Sequence, residues 1–162
     1  MNALTFRLYY EYHFAENRKL WDTAISTLSN QQFIQNSDYS VGSVRNQFVH
    51  LMSVDEAWFS GLTGLDFQDL QNFDGIDDQN LIRAQWDKVE QHMRDYLAKL
   101  QDTMLFEKPF ADGEDKDLIL WQVLLHVVNH GTDHRAQLLR LLNDLGAKTT
   151  AQDYIFYAYD HP

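Results

Sequence analysis

The sequence contains no cysteine, which excludes disulfide bonds, thiolate nucleophiles and thiolate metal ligands. Proline is nearly absent too: with only Pro109 and Pro162, long helices can run without interruption. No apolar run approaches the roughly 20 residues that a membrane span requires. The first 20 residues carry scattered charges and lack the apolar core of a signal peptide. Together with a cysteine-free composition that fits a reducing compartment, these absences predict a cytoplasmic protein that does not enter a membrane.

Basic residues are few. Lys and Arg total 13 against 24 Asp and Glu, for a formal net charge of −11. Proteins that bind nucleic acid gain much of their affinity by neutralising phosphates with a basic surface. The charge clusters here are acidic, as in Asp112–Asp117. Nucleic acid is therefore not an expected partner.

What the sequence does contain is core-forming residues in helical patterns. Hydrophobic residues make up 44% of the 162, enough for a single domain over residues 1–162 with its own core. Apolar residues recur at helical spacing in four segments. We predict helices over residues 3–28, 41–62, 78–101 and 118–145. Four amphipathic helices with short connections predict an all-α four-helix bundle, a fold whose core is a known place for metal sites.

Polar and glycine-containing segments mark the boundaries of these helices. Ser40 or Ser43 is expected to cap the second helix and Asp77 or Asp78 the third. Gly146 is expected to end the fourth. The connections are predicted as loops over residues 30–40, 65–77 and 103–116. The tail after Gly146 is rich in Tyr, Ile and Phe, so it is expected to pack back on the bundle or to form a subunit contact.

The fourth predicted helix carries His126, His130 and His134 at four-residue steps. At about 100° per residue, His130 and His134 fall into the apolar stripe, whereas His126 turns toward a polar side. On the second helix His50 lies beside a stripe of six apolar residues, formed by Val44, Phe48, Leu51, Val54, Trp58 and Leu62. Paired histidines at this spacing are either hydrogen-bonded imidazoles or metal ligands. Apolar surroundings, the imidazole of His50 at the inward edge of the second helix and the lack of cysteine favour a late divalent metal such as zinc or nickel.

Three motifs resemble the DinB-like family. The run from His126 to Leu138, HVVNHGTDHRAQL, is similar to the last-helix signature of that family, roughly H-x-x-N-H-x-x-x-H-R-G-Q. The segment from Phe48 to Trp58 resembles its other motif, a histidine followed eight residues later by an aromatic residue. The stretch Asp153–Tyr157 is similar to the usual end of the family. Ala136 and Asp133 depart from the pattern, which commonly has glycine and histidine there.

The resemblance implies an up-down-down-up four-helix bundle with one divalent metal ion held by His50, His130 and His134. It implies a homodimer, formed through the first and fourth helices or through the tail. Characterised relatives use the metal to bind a low-molecular-weight thiol such as bacillithiol, mycothiol or glutathione, for S-transfer or isomerisation. The expected activity is therefore a metal-dependent S-transferase acting on a small molecule. A metal-dependent hydrolase and a non-catalytic metal-binding stress-response or interaction protein are the alternatives.

Other residues are candidates for roles around such a metal. His126 and Asp133 are candidate catalytic residues, with Glu56 as a further general base in the hydrolase variant. His126 can equally orient a ligand or sit in a polar patch at the pocket rim. Candidate substrate contacts are Trp58, Tyr12 and Arg135, although aromatic residues at helical spacing more often pack in the core and Arg135 favours packing too. His13 and His92 are expected at the surface or its boundary.

Overall fold

The computed structural model describes residues 2–65 and 76–161, and this part of the chain contains helices and irregular segments without a β-strand. The all-α prediction is confirmed. In chain order the helices are α1 (Ala3–Thr27), α2 (Asn30–Ile34), α3 (Val44–Thr63), α4 (Gln79–Lys99), α5 (Leu120–Asp144) and α6 (Tyr154–Asp160), with a 3₁₀ turn at Met104–Phe106 before α5. Within the described residues, none of these helices has the length and apolarity to cross a bilayer.

Helices α3 and α4 begin at side-chain caps. Ser43 Oγ accepts the N–H of Asn46 at 3.1 Å, and Asp78 Oδ1 accepts the N–H of Asn80 at 2.8 Å. One of the two caps proposed for each helix is thereby identified, Ser43 for α3 and Asp78 for α4. A side-chain cap satisfies backbone donors that have no partner in the first helical turn.

Helix α2 was missed by the sequence prediction, which placed a loop over residues 30–40. The helix starts with a capping box in which Ser29 and Gln32 bond each other's backbone N–H. Its Phe33 is fully buried, with its ring 5.9 Å from that of Trp21. Burial of one aromatic side chain stabilises a helix that is too short and polar to be recognised by periodicity. The loop predicted over 65–77 lies outside the described residues, except at 65, 76 and 77.

Helix α1 packs on α5 and on α4. Its Tyr10 hydroxyl donates to the carbonyl of Leu124 at 3.0 Å, and Asn17 further along accepts from Arg135 of α5. Residues later in α1 therefore contact residues later in α5, so the two helices run parallel.

Helices α1 and α4 run in opposite directions. Arg94 of α4 donates to Glu11 at 3.0 Å, whereas Arg18 of α1 donates to Glu90 at 2.8 Å. Contacts later in α1 therefore meet earlier residues of α4.

Helix α3 packs against α4 and α5, the two helices that α1 also contacts. Its Gln47 contacts His134 while its Trp58 contacts His126, so α3 and α5 run antiparallel. Each long helix thus contacts two others, and the side chains between them form one hydrophobic core.

The buried face of α3 differs from the predicted stripe. Met52 and Phe59 are fully buried, but Val54, Trp58 and Leu62 are only partly buried. Because α3 packs on two long helices at once, its buried face includes Met52 and Phe59. Val54 and Trp58 are left at the edge beside α5. The aromatic tail does pack back: the ring of Tyr12 contacts those of Tyr154 and Tyr157 in α6, at 5.3 and 5.6 Å between centroids.

Candidate metal centre

Three histidines from two helices meet where α3 crosses α5. One ring nitrogen from each of His50, His130 and His134 lies within 4.8 Å of the others. The ring of His134 is 4.4 Å from both other rings, between centroids. His130 and His134 share a face because they are one turn apart on α5, and the antiparallel α3 places His50 opposite them. All three side chains are half-buried, which leaves one side of the cluster open.

The nitrogen spacing fits a tetrahedral metal ion. His50 Nε2 and His134 Nε2 are 3.2 Å apart. Two nitrogens that bind one zinc ion at about 2.0–2.1 Å with tetrahedral angles stand roughly 3.3–3.4 Å apart. Three neutral imidazoles form a donor set that suits zinc and other late divalent metals. These three residues therefore fit the metal that the sequence motifs imply, with positions left for a further ligand.

Gln47 orients one of the three imidazoles. His134 Nδ1–H donates to Gln47 Oε1 at 3.0 Å, which leaves the Nε2 lone pair of His134 directed at the cluster. Gln47 is fully buried and donates in turn to Gln137 Oε1 at 3.1 Å. Gln137 donates to Asp133 at 3.0 Å. Sequence reasoning missed Gln47, although its position one turn before His50 on the same helix face was a usable signal.

The cluster keeps its imidazoles neutral. Burial, together with the neighbouring His134 and His50, lowers the pKa of His130 to about 4. Burial and the nearby His134 lower the pKa of His50, and burial lowers that of His134. His130 Nδ1 is buried without a hydrogen-bond partner among the described residues. Neutral imidazoles carry the lone pairs that a metal ion requires, so the site is prepared for binding at pH 7.

These shifts predict that the metal-free protein is sensitive to mild acid. A histidine whose pKa is lower in the folded state than its unfolded value of about 6.5 binds protons more readily when unfolded. Its contribution to stability is therefore present above about pH 6.5 and lost as the pH falls toward 4. We expect the urea midpoint of metal-free protein to fall over this range, and to fall less in His130→Gln. His161→Gln, at the exposed C-terminal end, is the control; equal pH slopes for wild type and His130→Gln would contradict this account.

His13 is the clearest error of the sequence prediction. It was expected at the surface or its boundary but is fully buried, with Nε2–H donating to Asp55 Oδ2 at 3.2 Å. Its Nδ1 accepts from the guanidinium of Arg135 at 3.1 Å. Asp55 and Arg135 are buried as well, so α1, α3 and α5 are joined by a polar network inside the core. The partners of His13 lie on other helices, which the pattern of α1 alone cannot reveal.

Gly131 allows this network to lie directly beside the three histidines. A side-chain carbon at position 131 would be 2.4 Å from His13 Cε1 and 3.0 Å from the Arg135 guanidinium. Both neighbours are fully buried and cannot move aside. Glycine after His130 therefore permits the close approach of α1 to α5.

The remaining candidates are distributed around the cluster. Tyr12 is buried, donates to the carbonyl of Gln152 at 2.8 Å and lies under the Arg135 guanidinium at 5.3 Å. Arg135 also donates to the Gln152 side chain. Tyr12 and Arg135 thus contact each other and the tail segment, in surroundings that favour the packing roles considered from the sequence.

His126, by contrast, lies at the rim, as the helical wheel indicated. It is exposed, and its ring centroid is 5.9 Å from that of His130. On its other side it meets Trp58 edge to face at 5.2 Å. Asp133 is exposed on the same helix as His126, and its charge acts to raise the pKa of His134.

The hydrogen-bond partners of Glu56 among the described residues are Ser60 and His92, and none of the three clustered histidines is one of them. Its carboxylate accepts from Ser60 and meets His92 Nδ1 of α4 at 3.1 Å, on the side of α3 that packs against α4.

The model of one protein family, described as the DinB family, matches residues 1–161, which is nearly the whole chain. No curated protein matches this chain.

Proposed function

From the premise that this chain belongs to the DinB family, we propose that it is a divalent-metal-dependent enzyme that transfers a low-molecular-weight thiol to a small-molecule substrate. The observation that carries the proposal is the convergence of three neutral imidazoles, His50, His130 and His134, at one half-open site. Zinc or nickel suits this donor set best. The absence of cysteine supports an external thiol, because the chain has no sulfur nucleophile of its own.

A divalent ion at this site would lower the pKa of a thiol or water that it binds, and so supply a nucleophile near neutral pH. The protein's own contribution is orientation and proton transfer. Gln47 holds His134 in one tautomer. The buried network of His13 and Arg135 packs against Gly131 and so fixes the backbone of α5 next to His130. We propose that His126 and Asp133 take or return a proton, and their exposure on the helix that carries two of the three histidines supports these roles. Trp58 is proposed to contact the substrate, and its ring contact with His126 supports this role.

The helix contacts support an up-down-down-up four-helix bundle as the scaffold. With α1 taken as up, α5 is parallel to it, α4 is antiparallel to it, and α3 is antiparallel to α5. In this arrangement the site draws its ligands from two neighbouring antiparallel helices, so that a metal ion would also tie α3 to α5.

Exposed apolar side chains support a homodimer. Leu4 and Leu8 of α1 are each 55% exposed, and Ile155 and Phe156 of α6 are each 50% exposed. Helix α6 packs on α1 through Tyr154 and Tyr9, so these side chains belong to one region of the surface. We expect a dimer by light scattering after size exclusion, and a monomer for Leu8→Glu. Leu81→Glu, at another exposed leucine on α4, is the control; a wild-type monomer would rule the dimer out.

Cobalt substitution tests the proposed chemistry. Bacillithiol, glutathione and simple thiols are titrated into cobalt-loaded protein, and sulfur-to-cobalt charge-transfer absorption is expected with at least one of them. If none of the thiols changes the spectrum, the thiol proposal is overturned. Hydrolysis of an ester or amide panel that disappears in His50→Ala would then favour the hydrolase, whereas bound metal without turnover would favour a non-catalytic role.

A further inference from the structure

An apolar groove runs along α3 away from the three histidines. It encloses about 530 Å³, within the usual range for small-molecule sites. Its lining comes from α3 and from the segment before α5, and consists of Ser53, Val54, Ala57, Trp58, Gly61, Phe110 and Asp115.

The groove and the histidine cluster lie along one face of α3. Val54, Ala57 and Gly61 follow His50 by four, seven and eleven residues, the spacing that keeps side chains on one helix face. From His50 to Gly61 the helix rises about 16 Å. On the facing helix His126 precedes His130 by one turn and contacts the groove residue Trp58 at 5.2 Å. A molecule bound at the cluster can therefore extend directly into the groove.

The groove is shaped for a flat or linear apolar group. Trp58 and Phe110 stand 6.0 Å apart, between ring centroids. Gly61 makes room for Phe110, because a side-chain carbon at position 61 would be 3.1 Å from Phe110 Cε1. Among the described residues that line the groove, the charged group is the carboxylate of Asp115, which would repel a second anionic group on the ligand.

We infer that this groove binds the apolar body of the small-molecule substrate while its reacting end lies at His50, His130 and His134. The substrate class is an elongated apolar molecule whose reacting end meets the metal-bound thiol and whose other end carries no acidic group. This inference rests on the proposed function for the position of the head, but the groove itself is formed without a metal.

The first test uses cobalt-loaded protein and a series of straight-chain thiols from ethanethiol to hexanethiol, in which the sulfur takes the place of the metal-bound thiol and the chain takes the place of the apolar body of the substrate. If the chain enters the groove, affinity measured from the charge-transfer band increases about fourfold for each methylene that leaves water. Ala57→Phe, which fills the groove from an exposed position, is expected to remove most of this dependence on length. Ala84→Phe, at an exposed alanine of α4 outside the groove, should keep it. Equal affinities along the series in the wild type would overturn the inference while leaving the thiol proposal intact.

A second measurement decides the case in which no thiol binds. Methyl resonances of Val54 and Ala57 in zinc-loaded protein are followed during titration with 1-hexanol, which enters the groove without needing the metal. Saturable shifts of these methyl groups, with the shifts of the Val54 methyl groups lost in Ala57→Phe, would support the groove even if the thiol proposal failed. Shifts that depend on protein concentration alone would instead identify the face as a contact between copies and overturn the inference.

Discussion

His130→Ala is expected to reduce bound metal from one equivalent per chain to a trace. The substitution removes one of three imidazole ligands and leaves His50 and His134, whose Nε2 atoms are only 3.2 Å apart, with a two-ligand site. Metal sites in proteins have binding free energies of roughly 10–16 kcal/mol shared among a few ligands, so losing one ligand weakens affinity on the order of a thousandfold. Elemental analysis of protein purified with excess zinc measures the content, and competition with a chelator measures the affinity.

His126→Ala is the matched control, because it removes an imidazole from the same helix one turn earlier. His126 is exposed at the rim and its ring is 5.9 Å from that of His130, so the metal content should stay at one equivalent. If His126→Ala lost the metal and His130→Ala kept it, the assignment of ligands would be reversed. Gln47→Leu should lie between the two, with a loss of about 10- to 100-fold, because the hydrogen bond that orients His134 is removed while every ligand remains.

Arg135→Met is expected to destabilise the protein by about 3–5 kcal/mol. Arg135 is fully buried and donates to His13, Asn17, Thr132 and Gln152. Methionine fills much of the space but leaves those acceptors without a donor and the carboxylate of Asp55, paired with His13, without a nearby cation. Urea denaturation followed by circular dichroism gives the free energy of unfolding.

Arg140→Met provides the comparison on the same helix. Arg140 is exposed and pairs with Asp144 one turn later, an arrangement that contributes little in water. Its urea midpoint should match that of the wild type. A small effect of Arg135→Met, similar to that of Arg140→Met, would mean that the buried network contributes specificity rather than stability. Arg135→Lys should recover part of the loss, since a cation is restored without the geometry of the guanidinium.

Local patterns in the sequence were sufficient for the long helices and for one side of the candidate site. Apolar spacing located α1, α3, α4 and α5, and the wheel of α5 separated the inward His130 and His134 from the rim residue His126. These results depend only on the helical repeat, which relates residues within one segment. Because the helical repeat relates only residues within one segment, it did not predict α2. The five residues of this helix are mostly polar and form a helix because Phe33 is buried against Trp21.

What the sequence by itself determined is the all-α class, the helix order and the histidine pair on α5, because each follows from contacts between near neighbours in the chain. The tertiary structure decided which residues from separate helices meet. It placed His50 against that pair, buried His13 between Asp55 and Arg135, and opened a groove beside Trp58. The physical reason is that a helix has several faces able to pack, and only its neighbours decide which one is covered. His13 shows this most plainly, since a histidine that seemed unpartnered on α1 lies at the centre of the network joining three helices.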